Sequence, residues 1–408
     1  MEKIVIIGAG HAGFQLAASL RLADFQGSIS LLNGEGGVPY QRPPLSKDFL
    51  KAGRVDGLYF RNPDFFAGNR IDLVADRAIE IDRAAQKVIT AAGNAFDFDH
   101  LVLATGTANR LLDVPGVGPD IIYIKTLKDA QELRRRMPSF RKVVVVGGGF
   151  IGLEFAASAA SKGIEVNVVD AAGRLMSRTA SPHVSAYFEE QHRNNGVRVH
   201  LGSTVKAIAR RGEMIAGVTL NDGRDIEADA IVVGIGSLPC QELSSQAGLK
   251  VSNGIVVDQY LRTSDACISA IGDCSAFLSP YATSHIRLEC VQNAADQAKC
   301  VAQRLTGTLN PYTSLPWFWS DQGDDRLQIA GLIDRHDTAV IRGTLKDRNF
   351  SVFCFRAGQL VGVESVNRPA DHIVSRRLLA NRSDVHPAMI ADATFDLKSL
   401  LNRSLQPA

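Results

Sequence analysis

The sequence predicts an α/β chain of two similar βαβ units followed by a smaller α+β domain, and three observations carry that expectation. An apolar, β-branched run leads into a glycine-rich turn and an alanine-rich helical stretch twice. Residues 4–7 precede Gly8-Ala9-Gly10-His11-Ala12-Gly13, and residues 143–146 precede Gly147-Gly148-Gly149-Phe150-Ile151-Gly152. Each turn is followed, roughly twenty residues on, by another apolar run and a carboxylate: 28–32 ends near Glu35, and 165–169 runs directly into Asp170. Finally, the texture changes at Pro311, after which alternating β-type runs at 327–332, 338–342, 350–356 and 360–366 and a short helical tail replace the βαβ pattern.

The remaining elements follow in order. After the first βαβ pattern comes a polar, Pro-rich loop at 34–47, then shorter β-type runs at 71–74, 87–90 and 101–104, the last ending at Thr105-Gly106. The cations at 134–136 and 141–142 mark the solvated end of a linking helix. The second unit starts at Lys142 and closes on the apolar run 230–234, which ends at Gly236. Beyond it lie Ala270-Ile271-Gly272-Asp273 and a helical pattern over 291–305 that returns to the first domain. The expected division is 1–109 and 236–312 for one domain, 110–235 for a second and 313–408 for a C-terminal α+β domain.

Composition narrows the function classes. With 408 residues, 45% hydrophobic and 22% charged, the chain has ample core and is neither disordered nor fibrous. A net charge of +2 gives no reason to expect nucleic acid as a partner. The first strand begins within three residues of the N-terminus, which leaves no room for a secretory signal, and the most apolar stretch, 143–160, is interrupted by glycines and Glu154. A cytoplasmic protein with no membrane partner is expected. The six cysteines form no C-x-x-C pair and no zinc-ligand spacing, so no metal is expected and buried thiols are the ordinary role.

The glycine spacing carries the chemistry. In a Rossmann-like turn the first glycine allows the tight bend, the second lets the backbone approach a pyrophosphate, and the third permits close helix-strand packing, with the phosphates at the positive end of a helix. The acidic residue that follows holds a ribose hydroxyl. Two copies, each with its carboxylate, predict two dinucleotides bound by one chain. Asp170 would accept a 2′-hydroxyl and repel a 2′-phosphate, and no arginine stands at Ala171 or Ala172 to offset that repulsion; Arg174 is the nearest cation. NADH is therefore expected over NADPH.

Beside the two fingerprints, the segments Pro39-Tyr40-Gln41-Arg42-Pro43-Pro44-Leu45-Ser46-Lys47, Ala104-Thr105-Gly106, Arg174-Leu175-Met176-Ser177-Arg178, Ile271-Gly272-Asp273 and Trp317-Phe318-Trp319-Ser320-Asp321-Gln322-Gly323 span nearly the whole chain. Together they resemble the FAD-dependent, NADH-using ferredoxin reductases of bacterial cytochrome P450 and aromatic-ring dioxygenase systems. That resemblance implies a glutathione-reductase-like fold, FAD as cofactor, NADH as substrate and a [2Fe-2S] ferredoxin as acceptor, which in turn feeds a P450 or a dioxygenase. It implies FAD contacts at Gly8, Gly10, Ala12, Gly13, Glu35, Arg42, Pro44, Lys47, Ala104, Thr105, Gly106, Gly236, Gly272, Asp273, Val291 and Trp319. For NADH it implies Gly149, Ile151, Gly152 and Asp170, with Glu154 close to the nicotinamide and Phe150 near the same ring or in the core.

Within that resemblance Lys47, Glu154 and Trp319 are the expected catalytic residues, and Trp317 is expected in the core. Related enzymes that pass electrons to a redox disulfide carry a C-x-x-x-x-C motif where this chain has Pro39 to Lys47, so the disulfide route is closed here. Lys47, Lys51, Arg61 and Arg287 are the cations expected to steer an acidic ferredoxin. The competing readings are an apoptosis-inducing-factor-like NADH-binding flavoprotein, an NADH oxidase or peroxidase, a rubredoxin reductase, and the flavin component of a nitrite reductase.

Overall fold

The computed structural model describes residues 2–392 and 394–403. Among them, those in 1–41, 55–108 and 238–316 form one compact unit, and those in 42–54, 109–237 and 317–408 form the other.

In the first unit five parallel strands lie in the order Ile268–Ala270, His100–Leu103, Lys3–Ile7, Ser28–Leu32, Ile71–Val74. The central strands are buried on both faces, which is why they read as unbroken apolar runs rather than as alternating ones. The helices His11–Leu22 and Val291–Leu305 pack together beside this sheet. In-register pairing brings Ile7 opposite both Leu32 and Leu103, so the C-terminal ends of three strands share one edge. There Gly8 N–H donates to Leu32 O at 2.9 Å and Ala104 N–H to Ile7 O at 2.8 Å. In an open α/β sheet that edge is where ligands bind.

The second unit repeats the plan with strands in the order Arg198–His200, Glu165–Val169, Lys142–Val146, Ala230–Val233, Ile122–Tyr123, all parallel. It also contains an antiparallel sheet of five strands, ordered Trp317–Gln322, Asp325–Gly331, Gln359–Val366, Asn349–Arg356, Thr338–Thr344, with the helix Pro369–Ala380 packed on it. This is the α/β plus α+β architecture that the sequence predicts.

Three local expectations change. The tryptophan segment is itself an edge strand, Trp317–Gln322, because each of its residues pairs with Asp325–Gly331. The loop at 34–47 ends in a 3-10 turn, Pro43–Ser46, since two prolines preset the backbone angle that such a turn needs. Each α/β unit also has a three-stranded antiparallel sheet, Ala78–Asp82, Lys87–Thr90, Ala95–Asp97 in one and Val205–Arg211, Met214–Leu220, Asp225–Glu227 in the other, of which only 87–90 is expected from pattern. No helix among the described residues is long and apolar enough to cross a membrane.

Candidate nucleotide sites and a buried charge cluster

The two glycine turns are built alike. Gly8 and Gly147 have φ of +106° and +109°, and a Cβ at either would overlap a carbonyl oxygen, that of Ala104 or of Gly234. A Cβ at Gly13 or Gly152 would overlap the carbonyl oxygen of Gly8 or Gly147. The middle glycines differ in kind: a Cβ at Gly10 meets nothing within 4 Å, and at Gly149 its nearest neighbour is Gly234 O at 4.0 Å. The outer glycines are thus required by backbone packing, whereas the middle ones face open space that a side chain would fill. The helices His11–Leu22 and Phe150–Ala160 start there with no side-chain cap and no acidic residue in the first turn. Their N-terminal N–H groups and positive ends fit a pyrophosphate in each turn.

In the first unit the neighbouring residues converge on that turn. Gly272, at φ +75°, lies so close to Ala12 that a Cβ would meet the Ala12 Cβ at 2.9 Å. Its N–H is held by Gln297 Oε1 at 2.7 Å, which ties the Gly272-Asp273 turn to the helix that Val291 begins. Thr105 Oγ1 donates to Cys240 O at 2.7 Å, and Gly106 takes φ +66°. Glu35 is exposed beyond the strand Ser28–Leu32, and the Tyr40 hydroxyl donates to its Oε2 at 2.6 Å.

In the second unit Asp170 is clamped. Its Oδ2 accepts Gly148 N–H at 2.5 Å and its Oδ1 accepts Ala172 N–H at 2.7 Å. The Arg174 guanidinium turns inward and donates to Ala180 O, Ser177 O and Ser185 Oγ at 2.6 to 2.7 Å, rather than pairing with Asp170. Gly236 is at φ +106° near Arg178. Ile151 is 52% exposed, and Phe150, half-buried, packs edge-on to Phe318 at 5.1 Å.

The same unit contains the residues expected to be catalytic. The turn Pro43–Ser46 delivers Ser46 and Lys47 to the buried side of the helix Phe150–Ala160, where Glu154 is 7% exposed. Lys47 Nζ lies 2.9 Å from Asp321 Oδ2 and 3.3 Å from Glu154 Oε1. Glu154 also accepts Ser46 Oγ at 2.6 Å, Ser320 Oγ at 2.9 Å and Asp321 N–H at 3.3 Å. Burial works against the charge on Lys47, but Glu154 and Asp321 outweigh it and hold the ammonium above its usual pKa.

Sequence reading gave Lys47 a place among the steering cations. At 8% exposure and with two carboxylate partners it is not a surface charge. Asp321, the nearer partner, was missed, although it sits in a segment singled out for its tryptophans. Arg287 is corrected for the same reason: it is tied to Glu289 and donates to Asp273 O at 3.2 Å. Lys51 and Arg61 are exposed. Arg42 donates to Lys125 O at 2.7 Å, and Pro44 sits inside the 3-10 turn. Trp319 is half-buried, and so is Trp317, contrary to its expected place in the core; their rings lie 5.8 Å apart, with the Arg376 guanidinium 4.3 Å above Trp317.

All six cysteines are free, and burial pushes the thiols of Cys274, Cys290, Cys300 and Cys354 up, that of Cys290 to about 12. Such thiols are poor nucleophiles. Replacing all six by serine or alanine is expected to leave NADH-dependent ferricyanide reduction unchanged per bound flavin. Loss of turnover with full flavin content would mean that a thiol takes part.

With this geometry in place, comparison with known proteins gives a consistent result. The pyridine nucleotide-disulphide oxidoreductase family matches residues 2–298, and the reductase C-terminal domain matches residues 317–401. The chain belongs to the pyridine nucleotide-disulphide oxidoreductase family. It is an oxidoreductase with FAD as cofactor and NADH as substrate, and the two open glycine cradles fit those two groups.

Rhodocoxin reductase of Rhodococcus erythropolis is 49% identical over 404 residues, covering 98% of this chain and 95% of that protein. The crystal structure of the ferredoxin reductase for the CYP199A2 system from Rhodopseudomonas palustris superposes with a TM-score of 0.96 at 51% identity, covering 98% of this chain and 99% of that one. The reductase of the covalent putidaredoxin reductase–putidaredoxin complex matches with a TM-score of 0.96 at 36% identity, covering 100% and 99%.

Proposed function

We propose that this protein takes electrons in pairs from NADH and passes them singly to a [2Fe-2S] ferredoxin, which serves a cytochrome P450 or a ring-hydroxylating dioxygenase in the cytoplasm. The observation that carries this reading is the pair of open glycine cradles in a chain with no cysteine between Pro39 and Lys47, where a disulfide-using relative would need two. FAD, when bound, supplies the exchange between two-electron and one-electron chemistry. The reductases of rhodocoxin, of putidaredoxin and of the CYP199A2 system support the choice of acceptor.

The chain's own residues then divide the work. Gly8, Gly10 and the start of the helix His11–Leu22 receive the FAD pyrophosphate, with Glu35 for a ribose and Asp273, Thr105 and Val291 for the rest of the molecule. Gly149, Ile151, Gly152 and Asp170 receive NADH. Lys47 supplies a buried positive charge that stabilises negative charge arriving nearby, and Glu154 and Asp321 keep it protonated. Trp319 belongs to the acceptor's side of the reaction.

In the deciding experiment, enzyme reduced anaerobically with NADH is mixed in a stopped-flow instrument with a [2Fe-2S] ferredoxin. Rapid one-electron reduction of the ferredoxin is expected, slowing as salt rises, while ferricyanide reduction changes little. Charge reversal at Lys51 or Arg61 is expected to slow the ferredoxin step alone. An enzyme that is reduced by NADH but reoxidised only by oxygen would contradict the proposal.

A further inference from the structure

The two fingerprints differ at one position that the spacing rule leaves open. In the first turn the residue between the first two glycines is Ala9, so a side chain is tolerated there. In the second it is Gly148, where a Cβ would meet Asp170 Oδ2 at 2.9 Å and Leu175 Cδ2 at 2.6 Å. Gly148 is bare on the side from which Asp170 approaches, and its N–H is what Asp170 Oδ2 takes. Glu35, the corresponding carboxylate of the first unit, accepts the Tyr40 hydroxyl and sits exposed. The second unit thus holds its acid rigidly where the first leaves it on a loop.

We infer that Gly148 is a specificity-determining residue for the nicotinamide cofactor: its missing side chain lets Asp170 clamp onto the turn, and the clamp makes Asp170 a discriminator against a 2′-phosphate. This rests on the reading of the second fingerprint as the NADH site. A carboxylate offers about four acceptor positions, so the two backbone N–H groups leave room for ribose hydroxyls. What the clamp removes is freedom. An unheld aspartate can rotate its charge away from a 2′-phosphate, whereas one fixed by Gly148 N–H and Ala172 N–H cannot. Arg174 donates to Ala180 O, Ser177 O and Ser185 Oγ rather than to Asp170, so it does not pair with the clamped carboxylate.

The test uses the FAD-loaded protein and calorimetric titration with NAD+ and NADP+, which bind without reducing it, alongside kcat/KM for NADH and NADPH with ferricyanide. Gly148→Ala is expected to keep its FAD, to bind NAD+ about tenfold more weakly and to narrow the NADH preference by a similar factor. Asp170→Ala should do the same, and the double variant should be no worse than Asp170→Ala alone. If Asp170→Ala leaves NAD+ affinity untouched, the cofactor reading of this turn fails and takes the inference with it. If Asp170→Ala weakens binding but Gly148→Ala leaves the preference intact, or the two effects add, the inference alone is overturned. Should Gly148→Ala not fold, amide hydrogen exchange decides. The Gly148 amide is expected to exchange more slowly in the native protein than in Asp170→Ala, and equal rates would refute the clamp.

Discussion

Replacing Gly10 by valine is expected to give a folded protein that has lost its flavin. The backbone at Gly10 is extended, with φ −72° and ψ −166°, a conformation open to any residue. The new side chain would enter space with no protein atom within 4 Å of its Cβ, so the chain itself has little to object to. The pyrophosphate does, because the branched side chain occupies the approach it needs. Overlap of this kind should weaken FAD binding at least about a hundredfold, or about 3 kcal/mol. Flavin absorbance per mole of protein, measured beside circular dichroism, reads both effects. Gly13→Val is the contrast: there the added atoms overlap the Gly8 carbonyl, and folding itself should fail. A Gly10→Val protein carrying stoichiometric FAD would show that the cradle is not the pyrophosphate site.

The second large effect concerns pH. Glu364 lies in Gln359–Val366, an interior strand of the antiparallel sheet, and has no exposure to solvent. One carboxyl oxygen accepts Ser181 N–H at 2.9 Å, and the other meets no partner among the described residues. Burial pushes this carboxyl up to about 7, against the pull of the Ser181 hydrogen bonds and of Arg174. In the unfolded chain it would titrate near its ordinary value of about 4.3. The folded state therefore keeps a proton that the unfolded state has released. The stability tied to that proton is fully present below about pH 4.3 and is lost as pH rises through about 7, a difference of about 4 kcal/mol.

Glu364→Gln keeps an acceptor for Ser181 and cannot ionise. Its thermal midpoint should match that of the native protein near pH 4 and exceed it by several degrees near pH 8. Parallel pH curves for the two proteins would refute the assignment.

Both predictions depend on a division visible in particular residues. The glycine turns and the parallel strands were legible because each is written in consecutive residues. The positive φ at Gly8, where the Ala104 carbonyl excludes a side chain, and the burial of both faces over Ile4 to Ile7 restrict the residue types allowed along one short stretch of chain. The segment at 42–54 was not legible in the same way. In sequence it continues the first βαβ pattern, yet in space it belongs with residues 109–237 and 317–408.

By itself, then, the sequence determined the repeated α/β plan, the two glycine turns, the acidic residues that follow them and the absence of a disulfide pair at 39–47, since each is set by residue type at short spacing. Only the tertiary structure decided what the charges do. Lys47 changed from a surface cation to a buried ammonium shared by Glu154 and Asp321, Arg174 turned toward carbonyls of its own loop, and Asp170 became fixed to Gly148. The state and reach of a charged group depend on how deeply it is buried and on the direction in which its side chain finds partners, near in sequence or far, and neither is fixed until the elements have packed.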